Sequence, residues 1–439
     1  MIMKRLLLTA LAVLMMLPVN TEAKKREKRS NVPIDKGYYK DVFMDGGIYL
    51  TSRKTLPAAD ALGLSMEFFA SAPNKELSAT DTLIQTNIMV GNAEDTNGWL
   101  LYPDGAPRYR MIYMNGGRAN RHAISLTKAG CGNIVRFVSS GGSYVGTCAG
   151  AFLASGGSKK TNKKVRYTKT YLHLWPGIAH STSLSKSNTD MRIEPGSPLL
   201  RYYDFGGDGI VSSVRHNGGC YALDSEKYRL PAGTEPLARY IYMDNDKVKI
   251  DDQISIWAYK SGRNSGRAIL CGSHPEGVKS GERRDLMASM LLYAMDGNAA
   301  PKPKAELVLG AVREMNKFWE DEAPAYTAIG DRQYHHFTVT VPKKCKSLTI
   351  TLKGYDGKDN FDLTLCANPK KMAFVDNSLH IAEGEGCNKQ LTIRKPRPGK
   401  LYISVFCNTT VTATDGTYGT SYSGRTDVLN GVPYSIVVE

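Results

Sequence analysis

The sequence predicts an α/β unit followed by an all-β unit: a doubly wound, mostly parallel sheet over about residues 38–300, then a β sandwich or jelly roll over 326–439. Three observations predict it. Apolar strand-like runs alternate with helical periodicity through the first 300 residues, the pattern of a parallel sheet with helices on its faces. From about Tyr326 the runs become short and alternating, with turn residues between them. Between the two, Asn298–Lys304 carries Pro301 and Pro303 and reads as a linker.

Residues 41–48 form the first predicted strand, ending in Gly46-Gly47. Leu56–Leu62 is a short helix and Ser65–Ala70 a second strand; 74–108 is polar and turn-rich, with two weak strands. Arg110–Met114 is an apolar strand ending in Asn115-Gly116-Gly117. His122–Ser139 has helical periodicity through Ile124, Leu126, Ile134, Val135 and Val138. Ser143–Thr147 is a strand that runs into a helix start at Ala149. Further strands fall at Tyr171–Trp175, Gly209–Val214, Leu237–Met243, Gln253–Tyr259 and Arg267–Cys271, and His274 follows the last directly. Asp285–Met295 is a helix with Leu286, Met290, Leu291 and Ala294 on one face, and Ala305–Trp319 is a further helix. Phe337–Val341, Ser347–Leu352, Phe361–Cys366, Leu391–Arg394, Leu401–Phe406 and Tyr434–Val438 are the strands of the β unit.

The chain has 439 residues, 42% hydrophobic and 23% charged, which suits two or three globular domains. Lys4 and Arg5 precede the apolar run Leu6–Leu17, and small residues lead to a cut after Ala23: a signal peptide, 1–23, of an exported protein. The run is too short to span a bilayer, and no later segment reads as a membrane span. Residues 24–37 form a basic tail. Net charge is +15, much of it in Lys24–Arg29 and in the cluster Lys159, Lys160, Lys163, Lys164, Arg166 and Lys169. The latter is a solvated loop or an anion-attracting rim. No nucleic-acid-binding module is present, so nucleic acid is excluded as a partner. Eight cysteines in an exported chain raise disulfides; if Cys345, Cys366, Cys387 and Cys407 pair among themselves, three connectivities are open. Asp356, Asp359 and Asp362 read as an acidic loop. No CxxC pair exists and His335-His336 lacks carboxylates at ligand spacing, so neither a metal nor another cofactor is expected.

The chemistry concentrates at Gly146-Thr147-Cys148-Ala149-Gly150. A nucleophile between two glycines, on a tight turn from strand to helix, is an elbow that aims the side chain outward. The helix N-terminus favours a thiolate there. A cysteine nucleophile needs a base, and the base an orienting acceptor. His274 and Glu276 supply both if the segment is extended, since i and i+2 then face the same way. The backbone N–H of Ala149, and that of Gly116 or Gly117, are the candidate donors to an oxyanion. Asn217 and Gly218 are candidates for substrate contact, with a plain Asn-Gly turn as the competing reading. Two rivals to catalysis by this triad remain: a binding protein that kept the fold and lost activity, and redox chemistry shared with Cys131.

The glycine pair after a central strand, the G-x-C-x-G elbow and the late His-Pro-Glu resemble the class I glutamine amidotransferase fold, which is flavodoxin-like. The wider run 141–151, Asn217-Gly218-Gly219 and His274-Pro275-Glu276 are closer still to the family named for the N-terminal domain of biotin–protein ligase. The resemblance implies Cys148 as nucleophile, His274 as base and Glu276 as its orienter, a site without a substrate; the reaction expected of such a triad is hydrolysis or transfer at an amide carbonyl of a small molecule or peptide through a thioester. No ligase catalytic domain accompanies it, so ligation is not implied. The last segment is similar to the bacterial pre-peptidase C-terminal domain through His336–Pro342, Phe361-Asp362-Leu363 and Gly399–Val405. That resemblance implies an accessory module in contact with polymer or cell surface.

Overall fold

A computed structural model describes residues 37–45, 53–69, 98–318, 323–355, 357, 360–416 and 419–439. The expected leader and basic tail, Gly46-Gly47, the weak strands before residue 98, and Asp356 and Asp359 lie outside them. The first unit is mixed α/β. Its strands β1 (Lys40–Asp45), β2 (Met66–Phe69), β3 (Tyr109–Met114), β4 (Ser143–Thr147) and β12 (Ala268–Cys271) run parallel in the order β2-β1-β3-β4-β12. Beyond β12 the sheet turns antiparallel, through β11 (Ile254–Tyr259), β10 (Glu235–Ile241), β7 (Ser187–Ile193) and β8 (Ile210–His216). The expectation of a mostly parallel sheet therefore holds for one half only. Connection length accounts for the turn from parallel to antiparallel at β12: the loop 260–267 between β11 and β12 is too short for a parallel crossover. On the same sheet, β9 (Cys220–Ala222) links β11 to β6 (Trp175–Ser181), which pairs with β5 (Ser155–Lys159). The Tyr171–Trp175 strand is displaced accordingly; only Trp175 of that run is extended in the sheet.

Helices cover both faces. The α2 helix (Ala119–Ser139) buries Leu126, Ile134, Phe137 and Val138 on one face of the sheet, with α3 (Ala149–Ala154) beside it. Ile124 and Val135, expected in the same stripe, point outward, 59% and 39% exposed. On the other face, α4 (Glu282–Met295) packs against α1 (Pro57–Ala61), and every residue from Leu286 to Met295 is buried. The one-sided face expected of Leu286, Met290, Leu291 and Ala294 is thus too narrow, since the helix is enclosed all round.

The predicted helix Ala305–Trp319 is instead two strands, β13 (Pro303–Leu307) and β14 (Arg313–Met315). Each completes one sheet of the β unit: β13 pairs with β15 (Tyr334–Val341), and β14 with β23 (Tyr434–Val438). Good helix formers such as Ala305, Glu306 and Leu307 yield here to strand pairing, because propensity is weaker than a row of ladder bonds and buried Leu307 and Met315. Residues 303–315 thus belong to the β unit and are not a linker. One sheet runs β13-β15-β20-β17-β18, with β17 at Leu363–Asn368, β18 at His380–Ala382 and β20 at Gly399–Cys407. The other runs β14-β23-β16-β19, with β16 at Ser347–Gly354 and β19 at Lys389–Arg394. A hairpin, β21 (Val411–Asp415) with β22 (Thr420–Gly424), stands apart.

That hairpin reaches the α/β unit. Phe69 of β2 bridges Gly419, and Thr420 Oγ1 accepts from Phe68 N. Buried Glu67 accepts from the hydroxyls of Tyr39, Tyr109 and Tyr422 and pairs with Lys40. Beside it Arg108 is bidentate to Asp331, 2.9 Å on each arm, with its guanidinium 3.7 Å above the Tyr39 ring. Lys304 pairs with Asp104 at 2.8 Å. The two units are therefore joined by a buried polar interface.

Candidate active site

β4 delivers Cys148 at the C-terminal end of the parallel strands, where such sheets carry their chemistry. Cys148 N donates to Cys271 O, 2.8 Å, which ties the turn to the neighbouring strand β12. The residue adopts φ 47°, ψ −100°, a conformation that costs a non-glycine residue energy and persists only where its surroundings impose it. The flanking glycines explain how the turn closes. A Cβ on Gly150 would lie 2.4 Å from Met114 O, and one on Gly146 would lie 2.7 Å from the Gly150 carbonyl carbon. The elbow geometry expected of the sequence is present.

β12 ends at Cys271, and three residues later His274 N donates to Arg215 O, 2.9 Å. His274 Nδ1 sits 2.9 Å from Glu276 Oε1, with the two side chains 18% and 13% exposed. The same imidazole is within hydrogen-bonding reach of Cys148. Burial alone would lower the His274 pKa, but hydrogen bonds to Cys148 and to Glu276 outweigh it and raise it to about 10. Gly116 lies flat on the same ring: a Cβ there would be 2.3 Å from His274 Cε1. Cys148, His274, Glu276, Gly116 and Ala149 are thus brought together, and Gly117 follows at φ 136° on the exposed edge. A thiol, an imidazole and a carboxylate in this order can shuttle one proton between sulfur and a departing group.

Asn217 and Gly218 come to the site differently from expected. Asn217 Oδ1 accepts from Lys186 N at 3.0 Å, and it is the main-chain oxygen of Asn217 that lies 3.8 Å from Cys148 Sγ. Gly218 N donates to Leu184 O, 2.6 Å, so this N–H is already engaged by the segment that precedes β7. The pair forms a turn that borders the sulfur through its backbone.

His216, read with Asn217 and Gly218 as a residue that lines the pocket, is enclosed instead, and the His122 pairing was missed in the sequence. His216 is fully buried between Thr182 Oγ1 and Ser273 Oγ, 2.7 Å from each, and burial with the His274 charge lowers its pKa to about 4. His122, in the first turn of α2, is buried against Asp45 at the end of β1, Nδ1 to Oδ2 3.0 Å. Burial opposes a charge on His122, but Asp45 and the Gly116 backbone raise its pKa above the ordinary value. Asp45 and His122 are 77 residues apart, so no local pattern could have paired them.

Cys131 is buried in the α2 core, and burial pushes its thiol up to about 11. All eight cysteines are free thiols, so Cys345, Cys366, Cys387 and Cys407 do not pair among themselves. His180 stacks on Tyr221, His173 Nε2 donates to Thr168 O, and His335 and His336 are held by Tyr434 and Ser404. Among the described residues, no group of His, Cys, Asp and Glu could hold a metal. Asp362 Oδ1 accepts from Gly386 N, a loop contact. Lys163 and Lys164 are exposed on a turn closed by the Ser158–Arg166 bridge.

Residues 106–291 are similar to the N-terminal domain of biotin–protein ligase, whose family model they match. The match takes in the elbow, the Asn-Gly-Gly turn and His274-Pro275-Glu276. Among solved structures, the pre-peptidase C-terminal domain of collagenase from Bacillus anthracis is 15% identical, covers 32% of this chain and 99% of its own, and has a TM-score of 0.19. PliG of Aeromonas hydrophila, a periplasmic inhibitor of g-type lysozyme, is 20% identical, covers 24% and 75%, and has a TM-score of 0.15. No curated protein matches the chain. Among the described residues, no helix is long and apolar enough to cross a membrane.

Proposed function

We propose that the α/β unit is a cysteine-dependent amidohydrolase or amidotransferase-like enzyme that works through a thioester at Cys148. One observation carries the reading: Cys148 is held in a strained elbow conformation beside an imidazole that Glu276 orients. The similarity to the biotin–protein ligase N-terminal domain supports it. In this reading the thiol proton already rests on the His274 ring, and the sulfur adds to an amide carbonyl. The oxyanion is met by the N–H of Ala149 and by that of Gly116 or Gly117. His274 then gives its proton to the departing amine, the C–N bond breaks, and a thioester remains. Water, deprotonated by the same imidazole, cleaves that thioester and restores the thiol. A His274 that keeps its proton through neutral pH holds positive charge beside the sulfur and has the proton that the amine requires. The substrate class is a small-molecule or peptide amide.

Iodoacetamide alkylation tests the reading without a substrate. At about pH 6.5, Cys148 in the native chain is expected to react at least about ten-fold faster than in His274→Ala. Equal rates in both proteins would remove the activated nucleophile and favour a binding protein of the same fold. We further infer export, from the apolar run Leu6–Leu17 and the small residues before Lys24. N-terminal sequencing of the protein recovered outside the cytoplasm is expected to begin at Lys24; recovery of an uncut chain from the cytoplasm would contradict it.

A further inference from the structure

The β sandwich has two ends of different chemistry. Asp331, Gly419, Thr420 and Tyr422 belong to the end that meets the α/β unit. From there β15 runs eight residues, Tyr334 to Val341, paired in register with β20 from Phe406 back to Gly399. The far end is therefore roughly 25 Å from the junction at about 3.3 Å per residue. Three loops cross there: 308–312 between β13 and β14, 342–346 between β15 and β16, and 395–398 between β19 and β20.

The first loop is apolar and exposed. Val308 is 69% exposed, Val312 60% and Leu309 39%. Ala311 N donates to Val308 O and Gly310 N to Val438 O, so a hydrogen-bonded turn holds these side chains out. The other two loops carry Lys343, Lys344, Lys346, Lys395 and Arg397, and Lys400 stands at the start of β20; all six are exposed. Facing them are Glu306, which accepts from Thr340 Oγ1, and Glu439. Branched aliphatic side chains presented to water at the edge of an end whose neighbouring loops carry cations have a natural counterpart in a lipid interface. The apolar groups enter the headgroup boundary while the cations meet lipid phosphates. A soluble polyanion would satisfy the lysines but leave Val308, Leu309 and Val312 in water.

We propose that this end of the sandwich docks on an anionic bilayer surface. The α/β unit, beyond the opposite end, then points away from the lipid. The proposal is independent of what Cys148 does.

Vesicle co-sedimentation tests it, with the chain from Lys24 onward so that Leu6–Leu17 is not itself the anchor. The Lys24–Arg29 block is common to all proteins compared. Vesicles of phosphatidylcholine with about 30% phosphatidylglycerol are expected to bind the chain at least about ten-fold more tightly than phosphatidylcholine alone, at about 0.1 M salt. A K343Q/K344Q/K346Q variant is expected to lose about ten-fold or more of that binding, since each cation near the surface counts for about five-fold. A V308S/L309S/V312S variant is expected to lose at least about three-fold with the salt dependence unchanged. All six side chains are exposed, so melting curves should match the parent. Binding no better than to phosphatidylcholine, or binding that neither variant weakens, would overturn the proposal. Binding that the lysine variant loses and the aliphatic variant keeps would show a polyanion-reading surface instead, and would overturn the lipid assignment.

Discussion

Gly116 shows how a single missing atom shapes the site. Its α-carbon lies against the imidazole of His274, and an alanine Cβ would fall 2.3 Å from Cε1. The ring would have to move, and Glu276 and Cys148 would no longer share it. Gly116→Ala is therefore expected to lower Cys148 alkylation by at least about ten-fold while shifting the melting temperature by only a few degrees, since the ring is partly exposed and can swing outward. Unchanged alkylation would mean that His274 is not confined by this glycine. Titration gives a second expectation at the same scale. Burial lowers the pKa of His216 and of His336 to about 4, and that of His335 well below the ordinary value. A folded pKa below the unfolded one means that the unfolded chain binds protons first, so stability falls as pH drops from about 6.5 towards 4. His274 acts in the opposite sense. Its folded pKa is raised to about 10, so its contribution is complete below about 6.5 and is lost as pH rises through 10. Thermal melts across pH should fall on both sides of a neutral plateau, and His336→Asn should soften the acid side; an acid side unchanged in that variant would remove His336 as a cause.

At the scale of elements, the elbow is the most constrained piece. β4 must end, the chain must reverse into α3, and β3 must pass close enough that Met114 O sits where a side chain at 150 would go. Gly150→Ala is expected to destabilise by about 2–4 kcal/mol, by forcing backbone apart in a packed core. Urea titration reads this directly, and a change below about 0.5 kcal/mol would mean that the strand pair can yield. The same scale explains the element that was misread. Residues 305–315 look helical by composition, yet β13 and β14 are edge strands on two different sheets. Pairing partners at His336–Val339 and Tyr434–Ile436 lie far along the chain, and no window around residue 310 contains them.

For the molecule as a whole, the interface between the two units has the burial of a core rather than the character of a tether. Arg108 and Asp331 are 2% and 1% exposed at the side chain, and each is the other's charge partner. Removing Asp331 leaves Arg108 buried without its bidentate partner, with only the neighbouring Glu67 carboxylate, already paired with Lys40, as counter-charge. Asp331→Ala is expected to cost about 3–5 kcal/mol. If the interface couples the two units, calorimetry of the native chain shows one cooperative transition, and Asp331→Ala lowers or splits it. Two separate transitions in the native protein, unmoved by the substitution, would show that the units are merely adjacent.

Much of the site was readable from local order alone. The glycines about Cys148 and the i, i+2 spacing of His274 and Glu276 are properties of short segments, and short-range sterics act on them wherever the segment is placed. The alternation of strands and helices before residue 300 likewise follows from which residues must be buried. What local order could not contain is distance across the fold. The antiparallel half of the sheet, the pairing of His122 with Asp45, the enclosure of His216, the turn of Asn217 toward Lys186 and the collection of cations at one end of the sandwich all depend on segments tens to hundreds of residues apart. Such contacts form only when the whole chain minimises its exposed apolar surface and pairs its buried polar groups at once, and that condition is not written in any single segment.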